Sequence, residues 1–253
     1  VIFRELLDEL RTNILRDNSS LLAGDDDRLW SDVTLARYIN EAYRRFARET
    51  LIIWDATTPE LTQVFLQPGV TLYPLNPAAL SVRSVRYHTD AVDLPRASHT
   101  RLDTYVGATQ DQFFDVNTAS ELAPGRPRAW TVDEELQGGP NTPITLRVYP
   151  KPSTDEAGNV LYLRVSRLPL EPLTLDNEDA ELEIPEDYHL DILNWAAYRA
   201  YSNHDADGGD ATAAEKHKIA FDACVKKAMQ DAARRTFAPH GFSLGNGAFR
   251  WSR

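Results

Sequence analysis

The chain has 253 residues, 42% of them hydrophobic and 26% charged, which is ample for a buried core and rules out wholesale disorder. Its 38 acids against 27 Lys and Arg leave a net charge of −11, so the protein as a whole is not a nucleic-acid clamp. No stretch approaches the roughly 18 consecutive apolar residues of a membrane span, the acid-bearing VIFRELLDELRTNIL has no signal-peptide layout, and the single Cys224 excludes an internal disulfide or a cysteine-held metal.

The first element is predicted to be a helix from Val1 to about Arg16, with Phe3, Leu6, Leu7, Leu10 and Ile14 at helical spacing. DNSSLLAGDDDR (17–28) is rich in turn formers. Ser31 or Asp32 can cap a second helix to about Thr50, with the stripe Leu35, Ile39, Ala42, Tyr43 and Phe46. At Pro59 the period changes, and residues 60–170 read as short strands broken by Pro and Gly. ITLRVYP (144–150) sets Ile144, Leu146 and Val148 against Thr145, Arg147 and Tyr149, and VLYLRVSRLP (160–169) turns Leu161, Leu163 and Val165 inward. TQVFL (62–66), VTLYPL (70–75), SVRSVRYH (81–88) and RAWTVD (128–133) are weaker strands; the third slips phase after Val82, which suits a bulge. RLDTYVGA (101–108) reads as a short helix.

After Pro185 the helical period returns. A third helix is predicted to run to about Asn203, and its residues Ile192, Leu193, Trp195, Ala196, Ala197, Ala200 and Tyr201 cover so much of its girth that it must be sandwiched. HDADGGD (204–210) is a turn, and a last helix runs from about Ala211 to Phe237 on Phe221, Cys224, Val225, Ala228 and Ala232. The fold expected is α+β. Helices in 1–57 and 185–238 close one bundle, an antiparallel sandwich or barrel-like domain (58–184) is inserted in it, and an extended arm (239–253) follows.

The charge is uneven. Residues 212–253 hold eight Lys or Arg and three acids, a net of +5, so residues 1–211 carry −16. The acidic run LDNEDAELE, with Asp176, Glu178, Asp179, Glu181 and Glu183, reads as a solvated loop or as a surface that faces DNA without binding it. In and beyond the last helix, Phe237, His240, Phe242, Phe249 and Trp251 stand among Arg234, Arg235, Arg250 and Arg253. Exposed aromatics with Arg are interface anchors, so this stretch reads as a docking arm.

Catalytic patterns fail. GFSLG (241–245) matches a nucleophile elbow, yet no Asp, Glu or His follows it. HDADGGD lacks the Gly and Glu positions of a calcium loop. His189, in EDYHLD (186–191), sits at a solvated helix start without zinc spacing. No metal or cofactor is expected.

The run as a whole resembles the head-to-tail adaptor, or connector, proteins in the necks of tailed bacteriophages, podoviruses in particular. The likeness lies in LWSDVTLARYINEAYRRFARET (29–50), GRPRAWTVD (125–133), ITLRVYPKPS (144–153) and LRVSRLPLEPLTLDNEDAELEIPEDYHLDILNWAAYRAYSNHDAD (163–207), closed by a long basic helix and tail. The resemblance implies a structural protein of the virion neck, made in the bacterial host cytoplasm. It implies a ring, commonly of twelve copies, beneath the portal protein, joining capsid to tail or nozzle proteins. Genomic DNA then passes through the centre without sequence-specific contact. Ile192, Leu193, Trp195, Tyr201, Phe221 and Val225 would pack the bundle and ring, and residues 237–253 would dock on the portal.

Two other readings stay open. One is a tail-associated receptor- or carbohydrate-binding module, with Trp130 and Tyr149 as its aromatic platform. The other is a cell-wall glycosidase, which needs two carboxylates at a defined separation.

Overall fold

The computed structural model describes residues 1–17, 28–97, 124–132, 143–203 and 210–237, apart from the side chains of 235–237. The chain is mixed α+β, with five helices and antiparallel sheets and no closed barrel among the described residues. It divides into two compact units: Val1–Ile52 with Leu173–Arg253, and Ile53–Pro172. Residues 53–57 thus group with the strands and 173–184 with the helices, where the sequence reading drew its lines at 58 and 184.

In the helical unit, α1 spans Phe3–Glu9 and continues as one π-helical stretch, Leu10–Leu15, in place of the single helix expected. The wider winding serves a tertiary contact. It delivers the Arg11 side chain to the buried Asp17 carboxylate at 3.1 Å, to the Trp30 carbonyl at 3.1 Å and to Asp32. Asp17 in turn accepts from the Leu29 and Trp30 amides. A buried guanidinium is tolerable only when paired and hydrogen-bonded, and here the pairing ties the first helix to the start of the second.

That second helix, α2, spans Asp32–Thr50. The Ser31 hydroxyl accepts from the Thr34 amide, as the cap reading expects, and Leu51 ends the helix in the left-handed region with φ 52°. Its predicted stripe is buried throughout.

The third predicted helix is shorter than expected. Glu186–Tyr188 is a 3₁₀ turn, and α4 proper spans Leu193–Tyr201. Successive i→i−3 bonds, from His189 to Glu186 and from Leu193 to Leu190, hold the tighter winding. His189 is buried there, with Nε2 2.8 Å from the Ile184 carbonyl, which corrects its reading as a solvated helix start. The last helix, α5, spans Ala211–Phe237, and the Asp210 carboxylate caps it by accepting from the Thr212 and Ala213 amides. Helices α2, α4 and α5 pack on one another.

In the other unit, β1 (Trp54–Asp55) and α3 (Pro59–Thr62) were not foreseen. The predicted strands appear as β2 (Gln63–Phe65), β3 (Leu72–Pro74), β4 (Ala79–Tyr87), β5 (Ala129–Val132), β6 (Thr145–Tyr149) and β7 (Val160–Arg167). One sheet pairs β7 with β1, β2 and β4; the other has the order β3-β6-β5. The register of β4 on β7 shifts between Val82 and Ser84, where the phase slip pointed to a bulge. Leu161, Leu163 and Val165 of one sheet share a buried cluster with Trp130, Leu146 and Val148 of the other.

Asp55 locks the corner between β1 and α3. Its carboxylate accepts from the Thr57 and Thr58 amides at 2.8 and 3.0 Å, from the Thr58 hydroxyl at 2.7 Å and from Arg167 at 2.6 Å. Burial alone would raise its pKa, but the bonds from Thr58, Thr57 and Arg167 outweigh it and hold the carboxyl well below the usual range. The predicted 101–108 helix lies outside the described residues, as does nearly all of the 204–210 turn.

Candidate interaction surfaces

The six residues expected to pack bundle and ring are used inside the helical unit. Ile192, Leu193 and Phe221 have no exposed surface, and Trp195 and Val225 are buried. The Trp195 ring lies 5.3 Å from Phe221, which in turn lies 6.5 Å from Phe46. Tyr201 is half-buried, stacks on His217 at 5.7 Å and donates its hydroxyl to the Ile14 carbonyl. The apolar girth of the third helix is thus satisfied within the chain, and it no longer argues for a neighbouring subunit.

At the edge of this core, Glu41 accepts from the Trp195 indole at 3.2 Å and pairs with Arg199. Arg45 lies over the Trp195 ring at 3.8 Å and pairs with Glu49. A depression of about 430 Å³ follows α2 here, lined by Glu41, Arg44, Arg45, Arg48 and Glu49. Two acids bracket three guanidiniums, which suits a polar contact surface and offers no acid in an apolar setting for catalysis.

The acidic run is held by its backbone. The Ala180 and Glu178 carbonyls accept from the first amides of α1, Phe3 and Arg4, each at 2.9 Å, and the Glu183 amide donates to the Tyr43 hydroxyl. These carbonyls satisfy donors that a helix start otherwise leaves open. Glu178 also pairs with Arg4 at 3.4 Å. Asp176, Asp179, Glu181 and Glu183 are exposed.

On the strand unit the proposed sugar platform is absent: Trp130 and Tyr149 are 1% and 2% exposed and belong to the core. Here β5 is buried along its whole length and β6 ends with Val148 and Tyr149 both buried, so neither residue follows the alternation of a half-solvated strand. Among the described residues the exposed aromatics are others. Register places Trp54 of β1 beside Ser166, and Gln63 of β2 and Arg86 of β4 on either side of Tyr162. Since Leu161, Leu163 and Val165 point inward, Trp54, Phe65, Tyr162, Arg83, Arg86 and Arg164 share the outer face. Arg83 lies over the Trp54 ring at 4.1 Å and bonds Ser166; Arg86 lies over Tyr162 at 5.9 Å. The sequence carried half of this signal, because the inward set of VLYLRVSRLP fixes Tyr162 and Arg164 as outward. Trp54 was missed because a two-residue strand has no period to read.

Among the described residues, no group of three or more His, Cys, Asp or Glu could hold a metal ion. The Cys224 thiol is pushed up to about 12 by burial and then by the Asp191 carboxylate, so it stays protonated and unreactive at neutral pH. No helix among those residues is long and apolar enough to cross a membrane.

A family model described as SU10 adaptor protein matches residues 2–242, nearly the whole chain. The chain belongs to the SU10 adaptor family. The match bears out the resemblance to phage head-to-tail adaptors, and with it a structural component of the virion. No curated protein matches the chain. Of the docking arm expected in this SU10 adaptor, Phe237 closes α5 by its backbone. His240, Phe242, Phe249, Arg250, Trp251 and Arg253 lie outside the described residues.

Proposed function

We propose that this adaptor forms a ring, of about twelve copies, beneath the portal protein, joins the capsid to the tail or nozzle, and surrounds the path of the DNA. The family match over residues 2–242 carries this reading. In it the helices act as a bundle that builds the ring, the two sheets form a sandwich inserted in that bundle, and the basic aromatic arm grips the portal. The net −16 of residues 1–211 supports a conduit through which DNA slides, because affinity for phosphates comes from cations that release counterions. The adaptor acts by position and charge, with no bond made or broken.

Three parallel assays, two of binding and one of peptidoglycan degradation, test the reading. The full chain is expected to bind purified portal protein and to leave duplex DNA unbound at about 0.15 M salt. It is expected to leave peptidoglycan intact. Tight, salt-sensitive DNA binding without portal binding, or release of peptidoglycan fragments, would overturn it.

A further inference from the structure

Resting on the ring reading above, we infer that the outer face of the four-stranded sheet docks on the acidic run of a neighbouring copy. Single exposed apolar residues are ordinary, but here Trp54 (49% exposed), Phe65 (59%) and Tyr162 (38%) share one sheet face with Arg83, Arg86 and Arg164. The strands that build the face place no carboxylate on it. This is a local excess: residues 53–172 hold ten Arg or Lys and fourteen acids, a net of −4. Trp, Tyr and Arg are the side chains that dominate binding energy at protein interfaces. Stacking holds Arg83 over Trp54 and Arg86 over Tyr162, so part of their side-chain entropy is lost before any partner arrives.

The complement is present on the same chain. Asp176, Asp179, Glu181 and Asp187 are exposed and form no ion pair with any described residue. The backbone of the run is held at residues 178, 180 and 183 by the bonds to Phe3, Arg4 and Tyr43, which fixes where its carboxylates are presented. The basic face belongs to the 53–172 unit and the acidic run to the other. A contact between two different patches is heterologous, and when its rotation closes it builds a ring. Nucleic acid is the weaker occupant, since three guanidiniums release few counterions and the whole molecule repels a polyanion. The acidic run is thereby assigned to the contact between subunits and not to the channel wall.

Two full-length variants test this: Arg86→Glu with Arg164→Glu, and Asp176→Lys with Asp179→Lys. All four positions are exposed, so both variants should melt as the wild type does. Native mass measured with portal present should show ring assembly reduced at least tenfold for each variant alone. A mixture of the two should restore it, because each altered patch then meets an opposite charge on the other variant. Rings formed as readily by either variant alone would overturn the inference and leave the adaptor reading standing. Loss that mixing does not repair, together with wild-type binding to a dT20 oligonucleotide that the Arg variant lacks, would make the face a nucleic-acid site instead. A wild-type chain that binds portal without forming rings would remove the ring reading, and this inference with it.

Discussion

Asp55→Ala is expected to destabilise the strand unit by about 3 kcal/mol, the cost of breaking a buried ion pair from one side. The Arg167 guanidinium, whose side chain is 11% exposed, would keep its charge and lose its carboxylate. The Thr57 and Thr58 amides would lose their acceptor as well, and with it the corner that leads from β1 into α3. For a unit of this size the melting midpoint should fall on the order of 10 °C. Trp130, fully buried in that unit, is a fluorescence reporter for it. Asp55→Asn keeps the geometry but not the charge and should cost about 1–2 kcal/mol. The pH dependence has a definite sign. The folded carboxyl lies well below its unfolded value of about 3.9. Its contribution is therefore complete above about pH 4 and fades as the pH falls further. The Ala variant should lack that acid-side loss. A midpoint shift under about 2 °C would show that the Asp55–Arg167 pair does not hold the corner.

Removing residues 238–253 is expected to abolish attachment to portal and to leave the melting of the helical unit nearly unchanged. Among the described residues the last buried one is Ala232, so the deletion removes none of the described core. What it removes is Phe242, Phe249 and Trp251 beside Arg250 and Arg253. Anchors of this kind contribute about 2 kcal/mol or more each when they fill a partner's pocket. Phe249→Ala with Trp251→Ala should then weaken attachment by about three orders of magnitude, while Ser252→Ala should change little. Truncated protein that binds portal as well as the full chain would place the docking surface elsewhere, and the α2 depression with Arg44, Arg45 and Arg48 would be the next surface to examine.

The parts of the fold with a sustained period were legible. The stripes of α2 and α5 recur over several turns, and β6 alternates from Thr145 to Val148 and β7 from Val160 to Val165. The parts set by tertiary contacts were not. Nothing local marks Leu10–Leu15 for π winding; the demand comes from Arg11 reaching Asp17, Trp30 and Asp32. Nor does a pattern mark Glu186–Tyr188 for a tight turn, because Pro185 and the acids after it suit an α-helix start equally well. The surfaces divide in the same way. Composition pointed to the acidic run, whose Asp176, Asp179, Glu181 and Glu183 are exposed. It misjudged Trp130 and Tyr149, because alternation assigns faces only where one side of the sheet meets solvent. It also took the apolar girth of the third helix as room for a neighbour, when α2 and α5 fill that room.

Many copies of this chain are expected to encircle the portal. The native mass of the complex formed from purified portal and the full chain tests it most directly. The expected result is a closed assembly with several adaptor copies on each portal, close to twelve. A complex holding one adaptor subunit per portal, at saturating adaptor, would contradict it.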